Sequence, residues 1–517
     1  MSETRISSAR VGHTGTADVL FTHSWHLWND PKQAERHQPY PPLGTLYAAA
    51  LARASGFSVA LFDTMLDDPA SGFADALDRH RPRLVVICED SFNFLSKMCL
   101  SVVREVSFAM QARAEERGIP VIIHGSDSTD NALEYLRRGF LAVLHGECEA
   151  TLVEFLDAFM RRDQRSAWQF PGLFYLGAQN ELISTGARHR SLDLDRFPLP
   201  ARDLISMDRY GEIWQNHHGR TSTNIVASRG CPFRCNWCAK PVFGNKFVLR
   251  SPDSVATEMR LLKFTYGIEH LWFADDVFAL DRHWAKEFAT SVRARHAALP
   301  FKIQCRADLL CPETVAALKQ AGCEEVWMGA ESGSQAILNA MDKGLNVASI
   351  VQARERLAEV GIRAAFFLQL GYPGETLAEI EETIALVRRC RPDDIGVSVS
   401  YPLPGTVFHE RVYRQMGPKQ HWRDSDDLSA MFRATYTDDF YRAVRNALHA
   451  EVNLYAGPHD ECAQDRLKTM WDEVYRIEKR SRNAFPTQLP VLESSAQDQL
   501  TACTREGAVT RTSACAI

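Results

Sequence analysis

The chain has 517 residues, of which 45% are hydrophobic and 24% charged, with a formal net charge of −6. That length predicts two or three domains, and the composition is ordinary for a globular protein. The charge provides no attraction to nucleic acid, no Lys/Arg run or basic stripe is present, and no nucleic-acid partner is expected. No uninterrupted apolar segment is long enough to span a bilayer, and the polar start from Met1 to Arg5 lacks the apolar core of a signal peptide. The 13 cysteines are scattered apart from one triplet, which predicts reduced thiols and a cytoplasmic location.

Residues 1–16 read as a flexible N-terminus. From 17 to 164, apolar runs at 18–21, 58–62, 84–87, 121–123 and 141–144 alternate with amphipathic stretches such as 43–54 and 102–117. This alternation predicts an α/β domain of Rossmann-like type, a parallel sheet with helices on both faces. Ligands of such folds bind beyond the carboxyl ends of the strands. The residues expected there include His23 to His26, Asp63, Glu89 to Ser91, Gly125, and Gly146 with Glu147. A long loop carrying Trp25, His26, Trp28, His37 and Tyr40 follows the first strand, and loops of that length are usually functional. Residues 165–222 are breaker-rich, with Pro171, Gly172, Pro198 and Pro200, and read as a linker.

A strand-like run at 224–228 precedes Cys231, Cys235 and Cys238, spaced C-x₃-C-x₂-C in a short loop. Thiolates are soft ligands suited to iron–sulfur clusters or zinc. Three of them can hold three corners of a cubane and leave one metal open. Structural zinc wants four closed ligands, usually as two separated pairs, and the next cysteine, Cys305, is far along the chain. Further strands are expected at 270–273, 301–305, 325–328, 363–368 and 395–400. Together with the first, they predict an open, partial (β/α)₆ barrel of TIM type over 223–405. Ser251 with Pro252 suits a helix start, and Thr376 with Glu379 a capping box. Chemistry in parallel barrels sits at the C-terminal strand ends. Those ends carry Asp275, Asp276, Arg306, Glu331 and the turn from Gly371 through Gly374 to Glu375. For the acidic residues, helix capping or surface ion pairing is the alternative role. Residues 406–480 read as a helical C-terminal region, with Trp422, Trp471 and Tyr475 available for packing or substrate contact. Residues 481–517 read as a disordered tail.

At the cysteine loop the chain resembles the radical S-adenosylmethionine (radical SAM) superfamily, which carries C-x₃-C-x-aromatic-C after its first barrel strand; Trp237 fills the aromatic place. The resemblance implies a [4Fe–4S] cluster on Cys231, Cys235 and Cys238, whose open iron chelates S-adenosylmethionine. One-electron cleavage then gives a 5′-deoxyadenosyl radical. It further implies an amine site at Asp275 and Asp276, a carboxylate site at Arg306, a ribose contact at Glu331 and an adenine turn at Gly371 and Gly374. The Ala-Asp-Asp form departs from the Gly-Gly-Glu form of many relatives.

The N-terminal domain resembles the cobalamin-binding domain that precedes the barrel in one large subgroup. Pro42 and Gly44 at the first helix, and Gly146 with Glu147 at a strand end, are typical of it. The resemblance places Ser91 and Gly125 near the nucleotide tail of cobalamin. The D-x-H-x-x-G signature is absent: Asp78-Arg79-His80 lacks the glycine and falls in an expected helix. The subgroup commonly lacks that histidine, and a domain that binds nothing, or binds substrate, is the alternative. The whole then resembles a cobalamin-dependent methyltransferase acting on an unactivated carbon of a small molecule or natural product. Its electrons would come from an external reductant such as flavodoxin or ferredoxin. Alternatives are a non-methylating radical enzyme, a non-catalytic corrinoid or S-adenosylmethionine sensor, and a methylthiotransferase with a second cluster on Cys88, Cys99 and Cys148.

Overall fold

The computed structural model describes residues 15–93, 98, 100–161, 168–189, 191–240, 242–456, 460–484 and 486–487. Most of the expected flexible N-terminus, and the tail from residue 488, lie outside the described residues, as does Cys99.

The first sheet comprises β1 (Val19–Thr22), β2 (Val59–Leu61), β3 (Leu84–Cys88), β4 (Val121–His124), β5 (Ala142–Leu144), β6 (Leu173–Leu176) and β7 (Leu182–Ser184). Its order is β2-β1-β3-β4-β5-β6-β7. The first five strands are parallel. Every residue of β1, β3, β4 and β5 is buried, as expected for a sheet covered on both faces. Alternate residues serve two separate apolar layers: Leu20, Val85, Ile87 and Ile123 in one, Phe21, Leu84, Val86 and Ile122 in the other. The segment read as a linker contributes structure of its own. β6 and β7 pair antiparallel and extend the sheet from β5, and a helix at Met207–His218 ends on Gly219 in the left-handed region. The β6–β7 turn lies between breakers, so the short strands on either side carry little periodic signal.

The second sheet begins at β8 (Ser222–Ile225), earlier than the expected run. The chain then leaves the ladder: the Ala227 amide donates to the Asp275 carboxylate, and the Val226 carbonyl accepts from Arg250. β9 (Ser228–Arg229) instead pairs antiparallel with β10 (Val248–Leu249), making a ribbon that brackets the cysteine loop. The ladder resumes with β11 (His270–Phe273), β12 (Phe301–Cys305), β13 (Cys323–Glu331), β14 (Arg363–Leu370) and β15 (Asp394–Val399). All six strands are parallel, in the order β15-β14-β13-β12-β11-β8, leaving β8 and β15 as free edges of a curled half-barrel. Both expected helix starts form: Ser251 caps Pro252–Thr265, and Thr376 and Glu379 make a reciprocal capping box.

Two long helices, Asp438–Ala456 and Glu461–Ser481, complete the C-terminal region. Trp422 and Trp471 pack inside it, with their indole N–H groups on Ser429 O and Glu451, whereas Tyr475 is exposed. The polar composition after 481 does not leave the whole segment free. The Asn483 amide bonds Thr435 O at 2.9 Å and the Thr487 amide bonds Arg433 O at 2.8 Å, satisfying carbonyls of an irregular stretch. No helix among the described residues is long and apolar enough to cross a membrane.

The parts are joined by buried charge. Arg202 and Arg250 grip opposite oxygens of Glu258, at 2.6 and 2.5 Å, and none of the three exceeds 5% exposure. Arg229 of β9 reaches Glu149 of the N-terminal domain at 2.6 Å. Its guanidinium lies over the rings of Phe197 and Phe243, at 5.0 and 5.1 Å, with Tyr47 and Phe92 slightly farther. On the other side, Ser425 bonds Asp30 at 2.9 Å, closing the C-terminal region onto the long loop after β1.

Candidate active site

The cysteine loop is shaped by its flanks. Gly230 has a φ of +80°, and a Cβ there would stand 2.0 Å from Lys246 O, so only glycine fits. The Cys231 amide then bonds Gly244 O at 3.2 Å. Cys231, Cys235 and Cys238 are free and half-buried. Burial pushes the Cys231 thiol up and the Cys238 thiol up to about 12. These sulfurs would become thiolates only with a cation at hand, which fits a metal-cluster donor set.

Asn236, between the second cysteine and Trp237, fixes the loop to the rest of the barrel. Its amide side chain donates to Ala340 O (2.7 Å) and Asp342 (2.9 Å) and accepts from Tyr372 Oη (3.1 Å). Its backbone bonds Met341 O and Phe408 N. The sequence reading passed over Asn236; its only signal was a polar residue inside the motif.

The strand-end residues divide into distinct environments. Asp275 is 1% exposed, accepts from the Ala227 amide and the Ser228 hydroxyl, and is raised by burial to about 7. It ties β11 to the segment leading into the loop. Asp276 is exposed, and its charge raises the Cys231 and Cys238 thiols in addition to burial. Of the two aspartates, Asp276 is the exposed one and Asp275 the one buried against the segment before the loop. Arg306 lies 3.8 Å over the Phe233 ring and bonds Asp308 at 3.0 and 3.1 Å and Lys343 O at 2.8 Å. It clamps the cysteine loop to β12.

Glu331 ends β13 with a φ of +61°, a costly conformation for a side-chain-bearing residue and one that concentrates at functional sites. Its carboxylate pairs with buried Lys343 at 2.6 Å. Burial, the largest single influence, lowers the Lys343 pKa, but the charges of Glu331 and Cys235 and the Glu331 hydrogen bond together turn the net direction upward. The same ammonium sits 5.9 Å over the Trp237 ring, whose N–H is buried with no partner among the described residues. Lys343 was also missed, because it lies in an unpatterned turn. Gly371 has a φ of +74° and packs on Tyr441, and Gly374 has a φ of +89°. Glu375 is fully buried, accepts from the Gly371 amide, and is pushed up to about 8 by burial. Rather than helping to start the following helix, it supports the turn from beneath.

At the C-terminal edge of the first sheet the features are mostly backbone. Pro42 precedes the helix Leu43–Ala54, and the Gly44 amide donates to Asp90 at 3.0 Å. A Cβ on Gly44 would meet Asp90 and Glu89 O at 3.3 Å. Gly125 packs against Glu89, which accepts from Ser24 and is raised by burial. Gly146 has a φ of +69° with open space beside it, and Glu147 accepts from the Ser191 amide. Ser91 Oγ is buried without a partner among the described residues. A glycine-lined rim with an unmatched hydroxyl fits a bulky polar ligand. Asp78 lies on the helix Ser71–His80 and pairs with Arg117 on the surface, away from this rim.

Residues 225–387 match the family model for the Radical SAM superfamily. An uncharacterized methyltransferase of Pyrococcus horikoshii is 25% identical over 421 residues, covering 78% of this chain and 88% of the relative. An anaerobic magnesium-protoporphyrin IX monomethyl ester cyclase of Rubrivivax gelatinosus is 24% identical, covering 78% and 70%. Among solved structures, the radical S-adenosylmethionine methyltransferase TsrM from Kitasatospora setae, with cobalamin and a [4Fe–4S] cluster bound, superposes with a TM-score of 0.62. That match has 19% identity and covers 77% of this chain and 75% of TsrM. The cobalamin-dependent radical enzyme OxsB, with aqua-cobalamin and S-adenosylmethionine bound, gives a TM-score of 0.66 at 15% identity, covering 90% and 72%. Residues 225–387 are therefore similar to the Radical SAM superfamily, and the chain has the fold of the cobalamin-dependent radical SAM enzymes.

Proposed function

We propose that this chain is a cobalamin-dependent radical SAM enzyme that methylates an unactivated carbon of a small-molecule substrate. One observation carries the reading. The free-cysteine loop of an open half-barrel lies next to a Rossmann-type sheet edge lined by Gly44, Gly125 and Gly146, and Arg229 joins the two. When bound, the [4Fe–4S] cluster and cobalamin supply one-electron cleavage of S-adenosylmethionine and a transferable methyl group.

The chain's own groups do the rest. Cys231, Cys235 and Cys238 hold the cluster. Asp276 accepts from the amino group of S-adenosylmethionine, and Trp237 and Glu331 with Lys343 border the nucleoside. Gly371 and Gly374 would shape the turn beside adenine, while Asp275, Arg306 and Glu375 hold the surrounding backbone in place. Pro42, Gly44, Ser91, Gly125, Gly146 and Glu147 form the corrinoid rim. The functional units are a cobalamin-type domain over 17–164, extended by the β6–β7 hairpin, the barrel over 223–405, and a helical cap from 406. The protein works in the cytoplasm with an external one-electron donor.

A second reading is a non-methylating radical enzyme of the same architecture, favoured by the similarity to a cyclase. Anaerobic reconstitution with cobalamin, dithionite and S-adenosylmethionine separates the two. Methylation predicts 5′-deoxyadenosine and S-adenosylhomocysteine together; 5′-deoxyadenosine alone selects the second reading, and neither product removes both.

A further inference from the structure

Three buried side chains unused by this chemistry converge in the N-terminal domain. Cys88 is the last residue of β3, His124 is the last of β4, and Cys148 precedes the helix Glu149–Met160 just beyond β5. Their exposures are 2%, 3% and 4%, and one ligand atom from each lies within 4.8 Å of the other two.

The histidine is already oriented for a ligand. His124 Nε2 lies 2.9 Å from Gly146 O. A carbonyl only accepts, so Nε2 carries a proton, and in the neutral ring that a metal needs, Nδ1 keeps its lone pair. Nδ1 lies 3.7 Å from Cys88 Sγ. Metal-ligating imidazoles are held in this way, with the far nitrogen donating to a carbonyl.

Without a metal, the two thiols and the imidazole would form a hydrogen-bonded chain, with Cys88 Sγ also 3.8 Å from Gly44 O. One cation shared by two thiolates and the imidazole explains all three. Zinc–sulfur and zinc–nitrogen bonds of about 2.3 and 2.0 Å at a tetrahedral angle separate S and N by roughly 3.6 Å, close to the distance seen. A cubane would place each ligand on a different iron and spread the three atoms farther apart.

We propose that Cys88, His124 and Cys148 form a Cys₂His site for a thiophilic metal ion such as zinc(II), independent of the barrel cysteines. Such an ion ties together the ends of β3 and β4 and the start of the helix after β5. It thereby stiffens the edge that carries Gly44, Ser91 and Gly146. Binding would be coupled to folding, since the ligands come from three separated segments.

The test uses full-length protein carrying Cys231→Ala, Cys235→Ala and Cys238→Ala, purified without oxygen and incubated with zinc(II) or cobalt(II). The expected result is one zinc retained per chain, an X-ray absorption shell containing two sulfurs and one imidazole nitrogen, and a thiolate-to-cobalt charge-transfer band. Adding Cys148→Ala should reduce retained zinc from one per chain to none. The absorption shell is read without altering the site, so misfolding of that variant cannot decide the matter. No retained metal, a shell of nitrogen and oxygen only, or retention unaffected by Cys148→Ala overturns the proposal. So does retention of iron with inorganic sulfide after reconstitution, which would mean a second cluster.

Discussion

The half-barrel and the N-terminal domain carry their candidate chemistry in opposite ways. In the barrel the active groups are side chains: three sulfurs, Asp276, and the Glu331–Lys343 pair. In the N-terminal domain the candidate surface is defined largely by missing side chains: Gly44 and Gly125 let Asp90 and Glu89 pack close, and Gly146 leaves open space. A ligand set built from rare residue types at short spacing is visible in sequence, whereas a concave surface made by glycines depends on what packs behind it.

This contrast is open to direct attack, and separating the two functions has the largest expected effect. Cys235→Ala should eliminate the cluster's visible absorption and bring 5′-deoxyadenosine formation to background, while corrinoid binding in the N-terminal domain stays unchanged. Retained absorption and turnover would contradict the assignment of the loop. Next in size is the joint between the halves. Arg229→Met should destabilise the protein by about 3–5 kcal/mol, because Glu149 is left as a buried charge without its partner. Chemical denaturation measures this, and a change below about 1 kcal/mol would show that the halves do not depend on the pair.

Asn236→Ala probes the loop itself. Three side-chain hydrogen bonds disappear, to Ala340 O, the Asp342 carboxylate and Tyr372, so a loss of about 2–3 kcal/mol and a lower iron content after reconstitution are expected. Glu375 gives a smaller, pH-dependent effect. Folded, it keeps its proton up to about pH 8; unfolded, it releases it near 4.5. The folded state then binds more protons across that window, so stability falls as pH rises through it. Glu375→Gln removes this slope, and its melting temperature should gain on the parent's between pH 5 and pH 8. Parallel curves would show that Glu375 is ionised when folded. The smallest effect belongs to the rim: Ser91→Ala removes an unmatched buried hydroxyl, leaving stability unchanged or up to about 1 kcal/mol higher. Corrinoid affinity, followed by absorbance titration, should nonetheless fall several-fold; an unchanged affinity removes Ser91 from the site.

The parallel strands of both sheets were legible because each is a short apolar run bounded by breakers, and the cysteine loop because of its spacing. The β6–β7 hairpin was missed: its strands are only four and three residues long, and the apolar run of β6 directly follows Pro171 and Gly172, which read as linker. The inward turn of Asp275 was hidden because sequence gives its place on the strand but not the ribbon that draws it away from the cysteines. Lys343, Asn236 and the convergence of Cys88 with His124 and Cys148 are tertiary facts, created when distant turns meet.

Arg229 stands two positions before Cys231, yet its guanidinium is lodged against Glu149, Phe197 and Phe243. Any swing of one half away from the other would drag this cation out of its niche and pull on the first cluster cysteine. The spacing between the two candidate sites is thus geared to the loop that carries the three cysteines.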